Sequence, residues 1–186
     1  MQKYNEFKLL EESLFFKTKV YDNTLIISLE SSNKKEFYTT FNLNSSFLED
    51  NQSNYQKDFL RRFLYQKCPY ASWQFVRSLK GKVFDITLDI RVKTETFCQW
   101  IRINIESFIK KYLYSQEDFA YIYLSLSHKN IFSYKLNQSW MRIYGLIIRC
   151  ENPQIPINWP KINMQSLLPE KDIKAKKISN FKGSNL

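Results

Sequence analysis

One run constrains the fold more than any other: Phe84-Asp85-Ile86-Thr87-Leu88-Asp89-Ile90-Arg91-Val92, in which apolar and polar residues alternate at every step. A period of two belongs to a β-strand with one face dry and excludes a helix. Just upstream, Gly81 interrupts Leu79-Lys80-Gly81-Lys82-Val83. Ser72 to Val92 is therefore expected to form one long strand with a bulge or sharp bend at the glycine. A second interrupted strand is expected from Trp140 to Cys150. There Gly145 breaks a pattern that sets Arg142, Tyr144, Leu146 and Ile148 on one face. Shorter strands are expected at Leu14–Val20, Leu25–Leu29, Glu36–Leu43, around Trp100 to Ile105, and at Phe119–Ser127 and Ile131–Leu136.

Helical spacing marks the connections. Residues 1–13 place Tyr4, Phe7 and Leu10 on one side. Tyr55, Phe59, Leu60, Phe63 and Leu64 make an amphipathic stripe, with Ser53 and Gln56 as a capping box and Pro69 as the stop. Glu106–Ser115 reads as a further short helix, and Asn42–Asn54 as a polar loop. Beyond Cys150, Pro153, Pro156, Pro160 and Pro169 block helix and central strand alike. With 186 residues, the chain suits one β-rich domain over 1–150. Residues 151–186 then form an apolar, proline-rich arm and a basic tail, the arm packed on the domain or on a partner.

The chain carries 28 Lys+Arg against 18 Asp+Glu, a net charge of +10. That balance favours an anionic partner, although abundant Lys, Asn, Ile, Tyr and Phe with few Ala and Gly also mark an AT-rich coding bias. Cys68, Cys98 and Cys150 are widely spaced, which excludes a CxxC zinc site and fits a reducing compartment. His128 is the only histidine, so a His-based metal site cannot be completed by anything except a partner chain. No apolar run approaches the ~20 residues of a membrane helix, and Met1-Gln2-Lys3-Tyr4-Asn5-Glu6 lacks a secretory pattern. Paired carboxylates such as Asp85 and Asp89 share one strand face, and two-metal chemistry sometimes uses such pairs. At this spacing such a pair is expected to face solvent, and the chain reads as non-enzymatic.

The two glycine-interrupted strands, Leu79 to Ile86 and Met141 to Ile148, resemble those of OB-fold subunits of single-strand-binding and telomere-maintenance complexes, such as replication protein A, the CST complex and telomerase-associated subunits. The resemblance implies a mainly β (α+β) fold, a small OB-like antiparallel barrel with one or two packed helices and an extended C-terminal arm. Two strand registers fit that barrel, one starting at Leu14 and one at Ser72. The resemblance further implies a non-enzymatic accessory subunit in the nucleus, part of a telomerase or single-stranded-DNA complex. Nucleic acid would be contacted by Lys80, Lys82, Trp100, Arg102, Arg142 and Tyr144, and a protein partner by Ile155, Ile157, Trp159 and Ile162. No cofactor, metal, membrane or small-molecule substrate is expected. The alternative is a basic structural protein of a mitochondrial ribosome or other ribonucleoprotein.

Overall fold

The computed structural model describes residues 15–17, 19–22, 27–30, 35, 39, 47–148 and 155–160. Its strands are β1 (Phe15–Lys17), β2 (Lys19–Asp22), β3 (Ile27–Glu30), β4 (Glu49–Gln56), β5 (Leu60–Gln66), β6 (Gln74–Lys80), β7 (Lys82–Asp89), β8 (Trp100–Glu106), β9 (Lys111–Ser115), β10 (Phe119–Ser125), β11 (Lys129–Leu136) and β12 (Gly145–Ile148). From β4 to β11 the strands pair first with last: β4 with β11, β5 with β10, β6 with β9, β7 with β8, all antiparallel. The β6–β11 and β7–β10 ladders then fuse these pairs into two five-stranded sheets, β1-β9-β6-β11-β4 and β12-β5-β10-β7-β8. Consequently the loops β4–β5, β6–β7, β8–β9 and β10–β11 all emerge at one end of the sandwich.

The chain is mainly β, but the OB-like barrel with packed helices does not form. An OB barrel curls one small sheet on itself, whereas here two separate sheets face each other. Gly81 does not bend a single strand. It is the corner at which the chain leaves one sheet, as β6, and enters the other, as β7. Its φ of +85° lies where side chains are rarely tolerated. A Cβ there would meet the Asn130 side chain and stand 2.7 Å from the Lys129 carbonyl oxygen.

The expected helix over Tyr55–Lys67 is instead the end of β4, a turn and β5. Asp58, at φ 64°, reverses the chain between them, a conformation Asp accepts more readily than most residues. Glu106–Ser115 divides into a 3-10 turn (Ser107–Ile109) and β9, hinged at Lys110 with φ 52°. The polar segment Glu49–Gln56 is not a loop, because all eight of its residues pair with β11. Gly145 opens β12 after a turn in which Tyr144 N–H donates to Met141 O at 2.9 Å, so no strand runs from Trp140. The expected helix at 1–13 lies outside the described residues. Of Glu36–Leu43 only Thr39 is described, and it is helical.

The outer face of the β12-β5-β10-β7-β8 sheet is apolar: Phe63, Phe84, Ile86, Leu88, Ile122, Leu124 and Ile148 are buried on it. The arm closes it. Ile155 is 2% exposed, Ile157 and Trp159 pack beside it, and the Trp159 ring lies 5.9 Å from that of Phe84. We expect Trp159→Ala to lower stability by about 2 kcal/mol, less than for a fully buried tryptophan. A denaturant titration checks this; an unchanged midpoint would mean that the arm adds nothing.

Candidate active site

With Phe84, Ile86 and Leu88 turned outward, the alternation of β7 turns Val83, Asp85 and Thr87 into the space between the sheets. Tyr123 and Tyr121 of β10 stand opposite Asp85 and Thr87 in register. On β5 a bulge intervenes: Tyr121 pairs with Leu64 but Tyr123 pairs with Arg61, three residues of β5 against two of β10. The extra residue aims Arg61 inward beside Tyr123 while Leu60 and Phe63 both stay outside. Tyr55 of β4 and Tyr134 of β11 face them from the other sheet. Tyr123 Oη donates to Tyr55 Oη at 2.6 Å, joining the two walls, and Arg61 Nη1 reaches the same oxygen at 3.5 Å. Val76, Val83, Ile103, Ile105, Leu113 and Phe132 supply the apolar lining.

Asp85 is 1% exposed. Its recorded hydrogen bond comes from Thr87 Oγ1 at 3.2 Å. Burial pushes its carboxyl up to about 7, only partly opposed by that bond. Burial also opposes the charge of Arg61, but the surrounding phenols of Tyr123, Tyr55, Tyr134 and Tyr121 outweigh it, so the guanidinium holds its proton more firmly than usual. Tyr121 and Tyr123 are pushed up as well, chiefly by burial, and keep their protons as donors. Asp89, on the same strand, has the opposite fate. Burial would raise it, but Arg91 Nε and Nη2 at 2.9 and 2.6 Å and Thr96 Oγ1 at 2.6 Å hold it low. Asp89 is a fixed anion that anchors a loop, whereas Asp85 can take or lose a proton near neutrality. Both are buried, which corrects the expectation that the pair faces solvent.

A carboxylate raised by folding destabilises the fold as it ionises. Between about pH 4 and pH 7 the folded chain keeps a proton that the unfolded chain has released, so stability falls as pH rises through that window. Asp85→Asn removes this slope. Relative to the parent, it should gain about 1.4 kcal/mol per pH unit across the window and nothing below it. Urea midpoints at several pH values measure the difference; parallel curves would contradict the buried, unpaired state of Asp85.

Among the described residues, no cluster of three or more His, Cys, Asp or Glu converges to hold a metal. His128 lies exposed on the β10–β11 loop, so the space between the sheets has no imidazole.

The residues expected to bind nucleic acid do not form one groove. Lys80 and Lys82 flank the Gly81 corner, with Lys82 Nζ paired to Glu106 at 2.6 Å. Trp100 packs against the outer apolar layer, and Arg102 lies 6.0 Å over the Phe84 ring on that same outer side. Arg142 and Tyr144 sit in the turn before β12, where Tyr144 packs on Tyr70 at 4.7 Å. Ile155, Ile157 and Trp159 cover the chain's own sheet, and Ile162 lies outside the described residues. Helical spacing puts Tyr55 in the apolar stripe of the expected helix and Arg61 on its polar side, and it gives neither of them, nor Tyr121, Tyr123 or Tyr134, a role in a site; the Tyr121-Ile122-Tyr123-Leu124 alternation is the available signal.

Eight strands paired first with last around a small buried polar set define a jelly roll. A family model described as dTDP-4-dehydrorhamnose 3,5-epimerase matches residues 8–180. The chain belongs to the dTDP-4-dehydrorhamnose 3,5-epimerase family. A relative of that name from Shigella flexneri is 34% identical over 169 residues, covering 91% of this chain and 92% of its own. Another, from Salmonella typhimurium, is 30% identical over 151 residues, 81% and 82% of the two chains. The crystal structure of a Legionella pneumophila epimerase in complex with dTDP-4-keto-L-rhamnose matches with a TM-score of 0.82 at 29% identity, covering 89% of this chain and 87% of that one.

These matches overturn the OB-fold resemblance and what it implied. The relatives are enzymes named for a dTDP-sugar, not telomerase, single-strand-binding or ribosomal subunits. A non-enzymatic protein without a small-molecule substrate is therefore not supported. Nor is a nuclear or mitochondrial location, because the relatives come from bacteria and an archaeon, which have neither compartment.

Proposed function

We propose that the chain epimerises a dTDP-linked 4-keto-6-deoxyhexose, with Asp85 as the base. The carbonyl at C4 acidifies the hydrogens on C3 and C5, so inversion at either carbon needs only removal of that proton and its return from the opposite face. The Asp85 carboxylate takes the proton: the C–H bond breaks, an O–H bond forms on Asp85, and the electron pair moves onto O4 as an enolate. Arg61 and the protonated phenols beside it stabilise that oxygen. Tyr134, on the facing sheet, donates its phenolic proton to the other face of the carbon, and water restores both groups. Walls about 10 Å apart suit a sugar ring lying between them. The observation that carries this reading is a buried carboxylate poised near neutrality among phenols and one guanidinium.

The test is hydrogen exchange. Purified protein in heavy water with dTDP-4-dehydrorhamnose should replace the hydrogens beside the carbonyl with deuterium, read as loss of the C3 and C5 proton signals. A second reading is favoured by the missing imidazole: a domain that binds the sugar nucleotide without turning it over. Calorimetric binding with no deuterium uptake would establish the second and sink the first.

A further inference from the structure

The loops at the Gly81 end of the sandwich are tied into one surface. Asp58 N–H donates to Ser125 O at 2.8 Å, Ser107 N–H to Gly81 O at 3.1 Å and Leu126 N–H to Lys82 O at 2.9 Å. Around them stand six lysines, Lys57, Lys80, Lys82, Lys110, Lys111 and Lys129, against two carboxylates, Asp58 and Glu106. At the opposite end, the described loops and strand ends carry four cations (Lys67, Arg91, Lys93 and Arg142) and five carboxylates (Glu49, Asp89, Glu95, Glu117 and Asp118). The same end as the six lysines carries Phe108, 73% exposed, and Ile109, 38% exposed, in a turn that packs near β6, whose Leu79 is 39% exposed. Phe108 and Ile109 belong to the 3-10 turn, which has no side-chain cap.

We infer that this end docks on a bilayer surface bearing anionic lipid headgroups. Exposed apolar side chains at the same end of the sandwich as six lysines match an interface that is negative outside and apolar within. Phe108, Ile109 and Leu79 enter the boundary between headgroups and acyl chains, while the lysines lie among the phosphates. Lysine suits this role because a point charge needs no fixed partner geometry, and each one near an anionic leaflet adds attraction that salt weakens. A nucleic acid would offer Ile109 and Leu79 nothing to bury against. An acidic protein segment would have to bring an apolar pocket of its own.

Vesicle flotation tests this with the full chain. The protein should float with vesicles of about one-third phosphatidylglycerol in phosphatidylcholine and remain behind with phosphatidylcholine alone, and high salt should release it. The Phe108→Ser/Ile109→Ser double variant should bind at least about tenfold more weakly, as should Lys80→Glu/Lys110→Glu. Deuterium exchange on the sugar nucleotide should match the parent for both, which separates this surface from the proposed active site. Because the serine pair alters only exposed side chains, its melting curve should be unchanged; if it melts early, the lysine pair decides. Absence of flotation overturns the inference. So does flotation that the Phe108/Ile109 variant retains, or preferential binding to polyglutamate or single-stranded DNA over vesicles.

Discussion

Asp85→Asn is expected to slow deuterium exchange on the sugar nucleotide by about 10²- to 10⁴-fold, the usual contribution of a positioned general base. The asparagine matches the carboxylate in shape and can still accept the Thr87 hydroxyl, so the site keeps its form while losing the carboxyl that titrates near neutrality. The loss should fall on kcat with little change in KM, because the base acts on a hydrogen that binding does not use. The parent's rate should rise with pH up to about 7 and then level, as the carboxyl ionises. Asp89→Asn provides the contrast. It removes the anion that holds Arg91 and Thr96 and should lower stability well before it lowers the rate. An Asp85→Asn protein that exchanges within a few fold of the parent would remove Asp85 from the chemistry.

Substituting Gly81 should give the largest loss of stability. Gly81→Val places a branched side chain at a φ of +85° and drives its Cβ against the Asn130 side chain and the Lys129 carbonyl. Neither neighbour can yield easily. Asn130 Oδ1 accepts from Lys82 N–H at 2.9 Å, and its Nδ2 donates to Ser127 O at 2.6 Å and to Ser125 Oγ. We expect a loss of about 3 kcal/mol or more, read as a fall in the urea midpoint. Gly145→Ala is the control. Its Cβ would stand 2.7 Å from Trp140 Cζ2, but Trp140 is partly exposed and can swing aside, so the cost should stay near or below about 1 kcal/mol. Equal losses at the two glycines would show that Gly81 is not a fixed corner.

The strand character of β7 was legible because alternation reports backbone period directly. Which face was dry was not. Alternation distinguishes two faces without saying what lies over each, and here both are covered, one by residues 155–159 and the other by the second sheet. Asp85 was therefore visible as half of a carboxylate pair but assigned to water. The helix expected at Tyr55–Lys67 failed for a particular reason. The β5 bulge adds one residue, so Leu60 and Phe63 face the same way three positions apart, which is the spacing of a helical turn. The same extra residue hid Arg61 among the apparent surface cations. β4 carried no signal, because Glu-Asp-Asn-Gln-Ser-Asn-Tyr-Gln is a strand only through its pairing with β11. Gly81 stands out in the sequence as a break in a strand, but not as the passage between two sheets that it forms. A strand break and a passage between sheets look identical until the partner strands are known.

Pairing first with last also governs how the chain must fold. The outermost pair, β4 and β11, brackets most of the domain, so its contacts cannot form until nearly every other strand exists. Such long-range closure makes folding slow. During synthesis the lone edge of β4 stays open until Leu136 has left the ribosome, and the wall holding Asp85 lacks its β10 neighbour until Ser125 has emerged. Delays in translating that last third of the domain should therefore favour aggregation more than delays earlier in the chain.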